Sequence, residues 1–172
     1  GIEDSPEQQA DDIVRESGDE STRPLVEALC AVAPAYLDWL DLELGHRLEL
    51  GGDMRRHGMS VPRLHTDPAR SGGMALVRTL RSAIAADDRI AFVDGTPGIG
   101  LLAEGDRVVG AAVLQNGERT EVRSGAVVLA SDGFAANADL VAQHIPEATD
   151  DVFQGVSTST GDALAWATEL GA

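Results

Sequence analysis

Two stretches near the end of the chain decide how it is interpreted: residues 126–134, AVVLASDGF, and residues 160–172, TGDALAWATELGA. The first is an apolar run that ends in small residues, which is typical of a buried strand. Small residues at the carboxyl end of a strand let a ligand approach the backbone, and open α/β sheets bind their ligands at that end. We therefore expect the function of the chain to reside at this strand end.

The sequence upstream of that run predicts an antiparallel meander between Gly98 and Ala130. Its strands are GIGLLA, RVVGAAVL and a longer one from Thr120 to Ala130. The connections Glu104-Gly105-Asp106 and Asn116-Gly117 supply residues that adopt positive φ, as tight hairpins require. The last strand is expected to run into a short parallel sheet.

Two short helices are predicted after the run AVVLASDGF. The first spans about residues 137–145, with Asn137 as its cap and Pro146 at its end. The second spans about residues 161–170 and ends at Gly171.

The amino-terminal part of the chain is predicted to be helical. Residues 1–23 are acidic and polar and predict a weakly packed entry segment. From Pro24 the apolar residues recur every three or four positions up to Gly45, which predicts a helix with one buried stripe. The stripe consists of Leu25, Leu29, Val32, Tyr36, Leu40 and Leu44.

The segment between this helix and the meander carries weaker signals. Residues 45–70 lack periodicity and are rich in Arg, His and Gly, which favours a long irregular loop. Ser71 can cap a helix over residues 72–86. Residues 89–93 are interpreted as a further strand.

Composition excludes several classes of partner. The chain has 13 basic and 29 acidic residues and a net charge of −16, which opposes binding to nucleic acid or to an anionic membrane. Cys30 is the only cysteine, so no disulfide or cysteine metal site forms within the chain. Neither a membrane span nor a signal peptide is recognisable, and a cytoplasmic location is the default expectation.

Gly98-Ile-Gly100-Leu-Leu-Ala103 matches the G-x-G-x-x-A dinucleotide fingerprint. The fingerprint requires its glycines to open a helix whose amino terminus meets the pyrophosphate. Gly105-Asp106 turns the chain before such a helix could form. An NAD-binding enzyme built on this motif is therefore a disfavoured alternative.

These segments, from about Arg63 to Ala172, resemble the flavin-binding domain of the fumarate reductase, succinate dehydrogenase and 3-ketosteroid dehydrogenase flavoprotein family. The resemblance is vague before Arg63. It implies a mixed α/β fold in which a short parallel sheet carries an inserted three-stranded antiparallel meander, packed by helices. Residues 1–172 would be one partial, Rossmann-like FAD-binding domain: a helical entry segment and loop over 1–70, then the sheet, meander and helices over 71–172.

The resemblance also implies which residues contact FAD. Gly98 falls where the family offers main-chain polar groups to the adenine. The small residues before Phe134 allow close backbone approach, and Asp162 would hydrogen-bond the polar chain of FAD, although an Asp in the first turn also suits the helix dipole. The candidate set is Gly98, Ala130, Ser131, Gly133, Phe134, Gly161 and Asp162.

Two features depart from a simple flavin site. Asp132 stands where the family usually has glycine, and we expect its carboxylate to point away from the phosphates, toward the amides around Asn137 or a cofactor hydroxyl. Arg63, His65, Arg70 and Ser71-Gly72 resemble the Arg/His-rich loop of the family and could bind an anion, or could simply pair with Asp and Glu. The histidines lack the spacing of a helical metal site.

The family binds the FAD pyrophosphate with a strand, a Gly-rich turn and a helix, none of which is found before Gly98. Its catalytic His and Arg residues follow the point equivalent to Gly171-Ala172. The chain, which begins at Gly1 without Met, is therefore interpreted as an excised or incomplete central part of an FAD-dependent oxidoreductase, with no catalytic residue of its own.

In the full-length protein, hydride would pass between the flavin N5 and a carbon of a small-molecule substrate, a dicarboxylate or a ketosteroid. The protein would orient the cofactor, which carries the redox chemistry. The alternative is a flavin-free binding module that keeps the fold, which the missing pyrophosphate loop would favour.

Overall fold

The computed structural model describes residues 2–18, 23–53, 55–69, 72–150 and 152–172. Contacts between Cα atoms divide the chain into two compact units, Gly1–Phe92 and Val93–Ala172. Each unit is described by itself. The roles predicted for Arg70 and Ser71 lie outside the described residues.

The first unit begins with helix α1, Pro6–Ser17. The side chain of Ser5 accepts a hydrogen bond from the Gln8 amide at 3.1 Å, which satisfies one of the free amides of the first turn. Gly18 ends the helix with a φ of 64°. Helix α1 therefore has a well-defined start and end in its local sequence.

Helix α2 spans Arg23–Asp38 and continues into a π-helical turn, Trp39–Glu43. This confirms the helix predicted from Pro24 onward. Helices α1 and α2 pack together and form the hydrophobic core of this unit. Its buried residues are Ala10, Val14, Val26 and Cys30. The prediction of a helical entry segment is confirmed for α1, but the weak packing predicted for it is wrong, because Ala10 and Val14 of this helix belong to the core.

The stripe predicted on α2 is also wrong for most of its length. Leu25 is 71% exposed, and the next members of the stripe, Leu29, Val32 and Tyr36, are exposed as well, whereas Leu40 is buried. The face that packs against α1 is carried by Val26 and Cys30. Apolar residues occur on both faces of this helix, so their spacing alone does not determine which face is buried.

Residues 45–70 are largely irregular, as predicted, except for a short antiparallel pair of strands. Strand β1, Glu49–Leu50, pairs with strand β2, His65–Thr66. Helix α3 follows at Gly73–Ala85, close to the predicted limits.

The second unit opens with the predicted antiparallel meander. Strands β3, Gly98–Glu104, β4, Arg107–Gln115, and β5, Glu118–Arg123, pair in sequence order. Asn116 and Gly117, at the tip between β4 and β5, have φ values of 53° and 83°. Both central residues of that turn have the positive φ that a type I′ hairpin requires.

The predicted parallel sheet is not found among the described residues. Residues 89–93 and 126–130, expected to be strands, form no ladder, and β5 ends at Arg123 instead of continuing to Ala130. Val128, in the middle of the most apolar run, is 87% exposed. An apolar run marks a segment suited to a buried strand, but a ladder also needs a neighbouring backbone.

The remaining elements match the predicted helices. Helix α4 spans Ala138–His144 and is capped by the Asn137 side chain, which accepts from the Leu140 amide at 3.2 Å. A short 3-10 helix, Pro146–Ala148, follows, and helix α5 spans Asp162–Glu169. The architecture is thus a mixed α/β fold with antiparallel strands.

Candidate functional site

Backbone hydrogen bonds join the two stretches on which the sequence analysis relies. The Gly161 amide donates to the Gly133 carbonyl at 3.1 Å, and the Ala136 amide donates to the Ser159 carbonyl at 2.9 Å. The Asn137 side-chain amide donates to the Thr160 carbonyl at 3.0 Å. We call residues 130–134 and 159–162 the candidate edge.

Gly161 is required by close packing within the candidate edge. Its φ is 83°, and an added Cβ would lie 2.4 Å from Leu140 Cδ1 and 2.8 Å from Phe134 Cβ. Only glycine combines that backbone conformation with that space. Gly161 and Phe134 are therefore in close contact, and this packing accounts for the glycine.

Gly133 lies in a different environment. No atom lies within 4 Å of the position that its Cβ would occupy, and its neighbours Ser131 and Ala130 are exposed. The backbone of this segment is accessible from one side, as a contact with a ligand requires. Ala130 and Ser131 directly precede the bonded residues but make no hydrogen bond across the candidate edge.

Asp162 is the first residue of α5, after Gly161 as the N-cap residue, and its side chain makes no capping hydrogen bond to a backbone amide. Its Oδ2 accepts a hydrogen bond from the Thr160 hydroxyl at 3.0 Å, and the residue is exposed. The helix dipole favours a carboxylate there. Asp162 is thus available to a ligand at the end of the candidate edge.

Gly98 lies against the same helix. The position of its missing Cβ is 3.3 Å from Cη2 of Trp166, one turn after Asp162. Trp166 was not among the predicted site residues, and its spacing from Asp162 along α5 is the only signal in the sequence that could have indicated it. Helix α5 therefore links Gly98 to the candidate edge.

Asp132 adopts a φ of 67°, one of two non-glycine residues with positive φ among the described residues. Its Oδ2 accepts a hydrogen bond from the Ser159 hydroxyl at 2.5 Å. The Ser159 hydroxyl and the Gly133 amide both lower the pKa of Asp132. Of the two partners predicted for this carboxylate, the amides around Asn137 are wrong, because Ser159 is the partner in the structure, and a cofactor hydroxyl stays a prediction.

An apolar cavity of about 470 Å³ lies next to Phe134, between α4 and the segment that follows the 3-10 helix. Large apolar side chains form much of its wall, together with alanines. They are Phe134, Val141, Ile145, Val152 and Phe153. The ring of His144 lies 5.5 Å from that of Phe134.

In the first unit, Arg63 is occupied by acidic partners. It donates through Nε and Nη2 to the two carboxylate oxygens of Asp4, at 2.8 and 2.7 Å, and through Nη1 to Asp12 Oδ2 at 2.6 Å. Its side chain is 9% exposed. Of the two interpretations of Arg63, anion binding and pairing with acids, the structure supports pairing.

Asp12 is the buried centre of this group. Burial opposes its ionisation, but hydrogen bonds from the Ser60 amide, Arg63, the Ser60 hydroxyl and Arg15 outweigh that cost and hold the pKa of Asp12 well below its usual range. We call Asp4, Asp12, Arg15, Ser60 and Arg63 the Asp12 cluster. Pairing of Arg63 with acidic residues was one of its two interpretations, but the identity of its partners was not predictable, since Ser60 and Arg63 lie far along the chain from α1.

The described histidines are engaged separately. His46 Nδ1 lies 3.0 Å from the Thr79 hydroxyl, His57 pairs with Glu16, and His65 Nδ1 lies 2.9 Å from the Arg63 carbonyl. Within the described ranges, no three His, Cys, Asp or Glu side chains are grouped so that they could hold a metal ion. None of the helices in those ranges has the length and apolar character needed to cross a membrane.

Comparison with known proteins gives the geometry a context. The chain is 30% identical over 178 residues to a probable fumarate reductase, Ifc3, of Shewanella frigidimarina, matching all of this chain and 29% of that protein. It is 26% identical to fumarate reductase 1 of Saccharomyces cerevisiae, over 99% of this chain and 37% of that protein. The chain therefore spans less than two fifths of the length of these curated relatives.

Solved structures share the fold over the whole chain. The open conformation of a flavocytochrome c3 fumarate reductase matches with a TM-score of 0.90 and 28% identity, over 100% of this chain and 30% of that one. A 3-ketosteroid-Δ4-(5α)-dehydrogenase of Rhodococcus jostii RHA1 matches with a TM-score of 0.85 and 22% identity, over 100% and 42%. The latter likeness concerns the fold alone.

The family model described as an FAD-binding domain matches residues 1–172, so it includes the amino-terminal part in which the sequence analysis found only a vague resemblance. The chain belongs to the FAD-binding domain family.

Proposed function

We propose that this chain forms one side of the FAD site of an FAD-dependent oxidoreductase. The observation that carries the proposal is the hydrogen-bonded pairing of the segment before Phe134 with the segment that opens α5. This pairing creates an accessible backbone edge next to an exposed carboxylate. We assign the contacts with FAD to the predicted set, Gly98, Ala130, Ser131, Gly133, Phe134, Gly161 and Asp162.

The residues of the candidate edge fit an extended polar ligand. Gly133 leaves open space where a Cβ would stand, so a ligand can reach the main chain. Gly161 contributes differently, since its amide is bonded to Gly133 and its role is to let the two segments approach. Asp162 can accept hydrogen bonds from ligand hydroxyl groups.

The charges of the candidate edge indicate which part of FAD lies there. The ionisable side chains in residues 130–134 and 159–162 are Asp132 and Asp162, both acidic. Carboxylates repel a diphosphate but accept hydrogen bonds from hydroxyl groups. We therefore assign the hydroxyl-bearing parts of FAD to this edge.

When bound, the flavin supplies the redox chemistry, a hydride transfer between its N5 and a substrate carbon. This chain contributes binding and orientation to that reaction, and we assign no proton transfer to any of its side chains. The relatives named as fumarate reductases favour a dicarboxylate substrate, and the fold shared with a ketosteroid dehydrogenase makes a ketosteroid the second candidate.

The acidic edge also favours the alternative, a flavin-free binding module. One measurement separates the two functions. A longer protein that carries this chain together with the strand, Gly-rich turn and helix typical of the family should purify with bound flavin and an absorbance spectrum in the visible range. A colourless protein that takes up no added FAD would favour the binding module.

The isolated chain should bind FAD weakly or not at all, since the contacts proposed here are mostly to the backbone. Fluorescence titration of FAD with the 172-residue chain measures this. Recovery of the isolated chain with stoichiometric flavin would contradict it. Steady-state turnover of the longer protein with fumarate and with 4-androstene-3,17-dione would then distinguish the two substrate classes.

A further inference from the structure

Asp132 and Ser159 form a side-chain connection across the candidate edge that the family resemblance does not predict. Asp132 has a positive φ of 67°, a conformation to which glycine is best suited. An Asp tolerates this conformation better than most residues. Its carboxylate bonds another side chain, since Oδ2 accepts a hydrogen bond from the Ser159 hydroxyl at 2.5 Å.

Ser159 is fixed from two sides. It is only 5% exposed, and its carbonyl accepts from the Ala136 amide at 2.9 Å while its hydroxyl donates to Asp132. Together with the bonds from Gly161 to Gly133 and from Asn137 to Thr160, this connects the two stretches at four points. The bond from Ser159 to Asp132 is the tie nearest to Ala130 and Ser131.

We propose that Asp132 and Ser159 are positioning residues that hold residues 130–134 at the spacing from the start of α5 that the cofactor requires. This inference rests on the proposed function. The bond acts at the end of the candidate edge where no hydrogen bond joins Ala130 or Ser131 to the other segment. Without it, this end moves away from α5, and the neighbouring bond between Gly161 and Gly133 opens more often.

The chemistry of the bond makes this role distinguishable from direct binding. Asn at 132 keeps an acceptor oxygen for the Ser159 hydroxyl and tolerates positive φ, so Asp132→Asn should preserve the connection. Gly at 132 suits the backbone but loses the acceptor. Ala at 132 loses the acceptor and also strains the backbone.

The test is a double-mutant cycle in a flavoprotein that carries this chain, with FAD affinity and the visible circular dichroism of bound flavin as readouts. Asp132→Gly and Ser159→Ala should each weaken FAD binding by about two- to fivefold, the range of one modest hydrogen bond. The double variant should bind FAD no more weakly than the single variant with the lower FAD affinity. Asp132→Asn should bind within about twofold of the wild type.

Thr158→Ala is the matched control, since it removes an exposed neighbouring hydroxyl and leaves the bond between Ser159 and Asp132 intact. It should change neither readout. Additive losses, or a loss of tenfold or more for Asp132→Gly, would overturn the proposal in favour of a direct ligand. Unchanged FAD affinity in both single variants would reduce the pair to a structural role.

A second readout separates this proposal from the proposed function. The Gly161 amide bonds across the candidate edge, so its protection against hydrogen exchange reports the pairing without any flavin. Protection of the Gly161 amide should be lower in Ser159→Ala and in Asp132→Gly than in the wild type. It should be higher in Asp132→Asn than in Asp132→Gly. If the wild type binds no FAD, the proposed function fails, and unchanged protection in these variants shows separately that the bond does not hold the segments together.

Discussion

The Asp12 cluster and the candidate edge use opposite means to join distant parts of the chain. In the Asp12 cluster, charged side chains bond one another around the buried Asp12, with Arg63 bonded to both Asp4 and Asp12. In the candidate edge, bonds between backbone groups connect the segments, and one of them joins two glycines, Gly133 and Gly161. Arg63, of a residue type often associated with anion binding, is thus engaged in ion pairs that stabilise the fold. The small residues of the candidate edge leave its backbone accessible.

This difference bears on how a functional site is recognised. An Arg near a helix start suggests an anion site, but the Arg63 guanidinium already donates three hydrogen bonds to two carboxylates, and its side chain is 9% exposed. A run of Ala, Ser and Gly carries no chemistry in its side chains, yet it exposes a backbone that a ligand can approach. Accessibility, as well as residue type, decides which region can bind.

The largest expected effect is that of breaking the Asp12 cluster. Arg63→Met keeps an unbranched side chain but leaves the Asp12 carboxylate buried, with one of its charged partners removed, and should lower the free energy of unfolding by about 3 kcal/mol. Urea denaturation monitored by a probe in the first unit measures this. Arg15→Ala, at a side chain that is 58% exposed, is the control and should cost less than about 1 kcal/mol. Equal losses in the two variants would contradict the central role of Arg63.

The next largest effect is expected in the candidate edge. Gly161→Ala places a methyl group 2.4 Å from Leu140 Cδ1 at a positive φ, and should destabilise the second unit by about 2–3 kcal/mol. Gly133→Ala, where the methyl group meets no atom within 4 Å, should change stability by less than about 1 kcal/mol. Thermal unfolding of both variants checks the contrast. A similar loss at both glycines would mean that packing does not explain Gly161.

Acidic pH should lower the stability of the first unit through the Asp12 cluster. The pKa of Asp12 is lower in the folded chain than its unfolded value of 3.8, so its stabilising contribution is fully present above that value and is lost as the pH falls below it. The free energy of unfolding of the first unit should therefore decline below about pH 4. Asp12→Asn should reduce the slope of this decline. An unchanged slope would show that other carboxylates account for the acid sensitivity.

Local signals in the sequence predicted the elements that depend on neighbouring residues. Asn116-Gly117 determines a hairpin through its own backbone preferences, and Asn137 and Pro146 bracket α4, so the meander and the last helices were confirmed. The expected parallel strands required partners elsewhere in space. The apolar run around Val128 indicated a suitable strand but contained no information about a neighbour.

That the candidate residues contact FAD stays a prediction. The resemblance assigned Gly133 and Gly161 to one candidate site, and in the structure the Gly161 amide donates to the Gly133 carbonyl. It could not predict the bond between Asp132 and Ser159, which are 27 positions apart, or the pairing of Asp12 with Arg63, which are 51 apart. Such polar pairs depend on tertiary geometry, and no periodicity in the chain encodes them.

The smallest expected effect on stability concerns Asp162, an exposed charged residue at the end of the candidate edge. Its carboxylate bonds the Thr160 hydroxyl and makes no capping bond to the backbone, so Asp162→Ala should cost only the interaction with the helix dipole, about 0.3–1 kcal/mol. In a flavoprotein that carries the chain, the same change should weaken FAD retention by more than this stability loss explains, because a proposed acceptor for cofactor hydroxyls is removed. Asp162→Asn is the matched control, since it keeps an acceptor oxygen and should retain more FAD than the alanine variant. Melting temperatures with and without flavin, together with FAD affinities, separate the two roles. If the alanine substitution lowers the melting temperature equally in both forms, Asp162 serves the helix dipole alone, and the proposed cofactor contact is wrong.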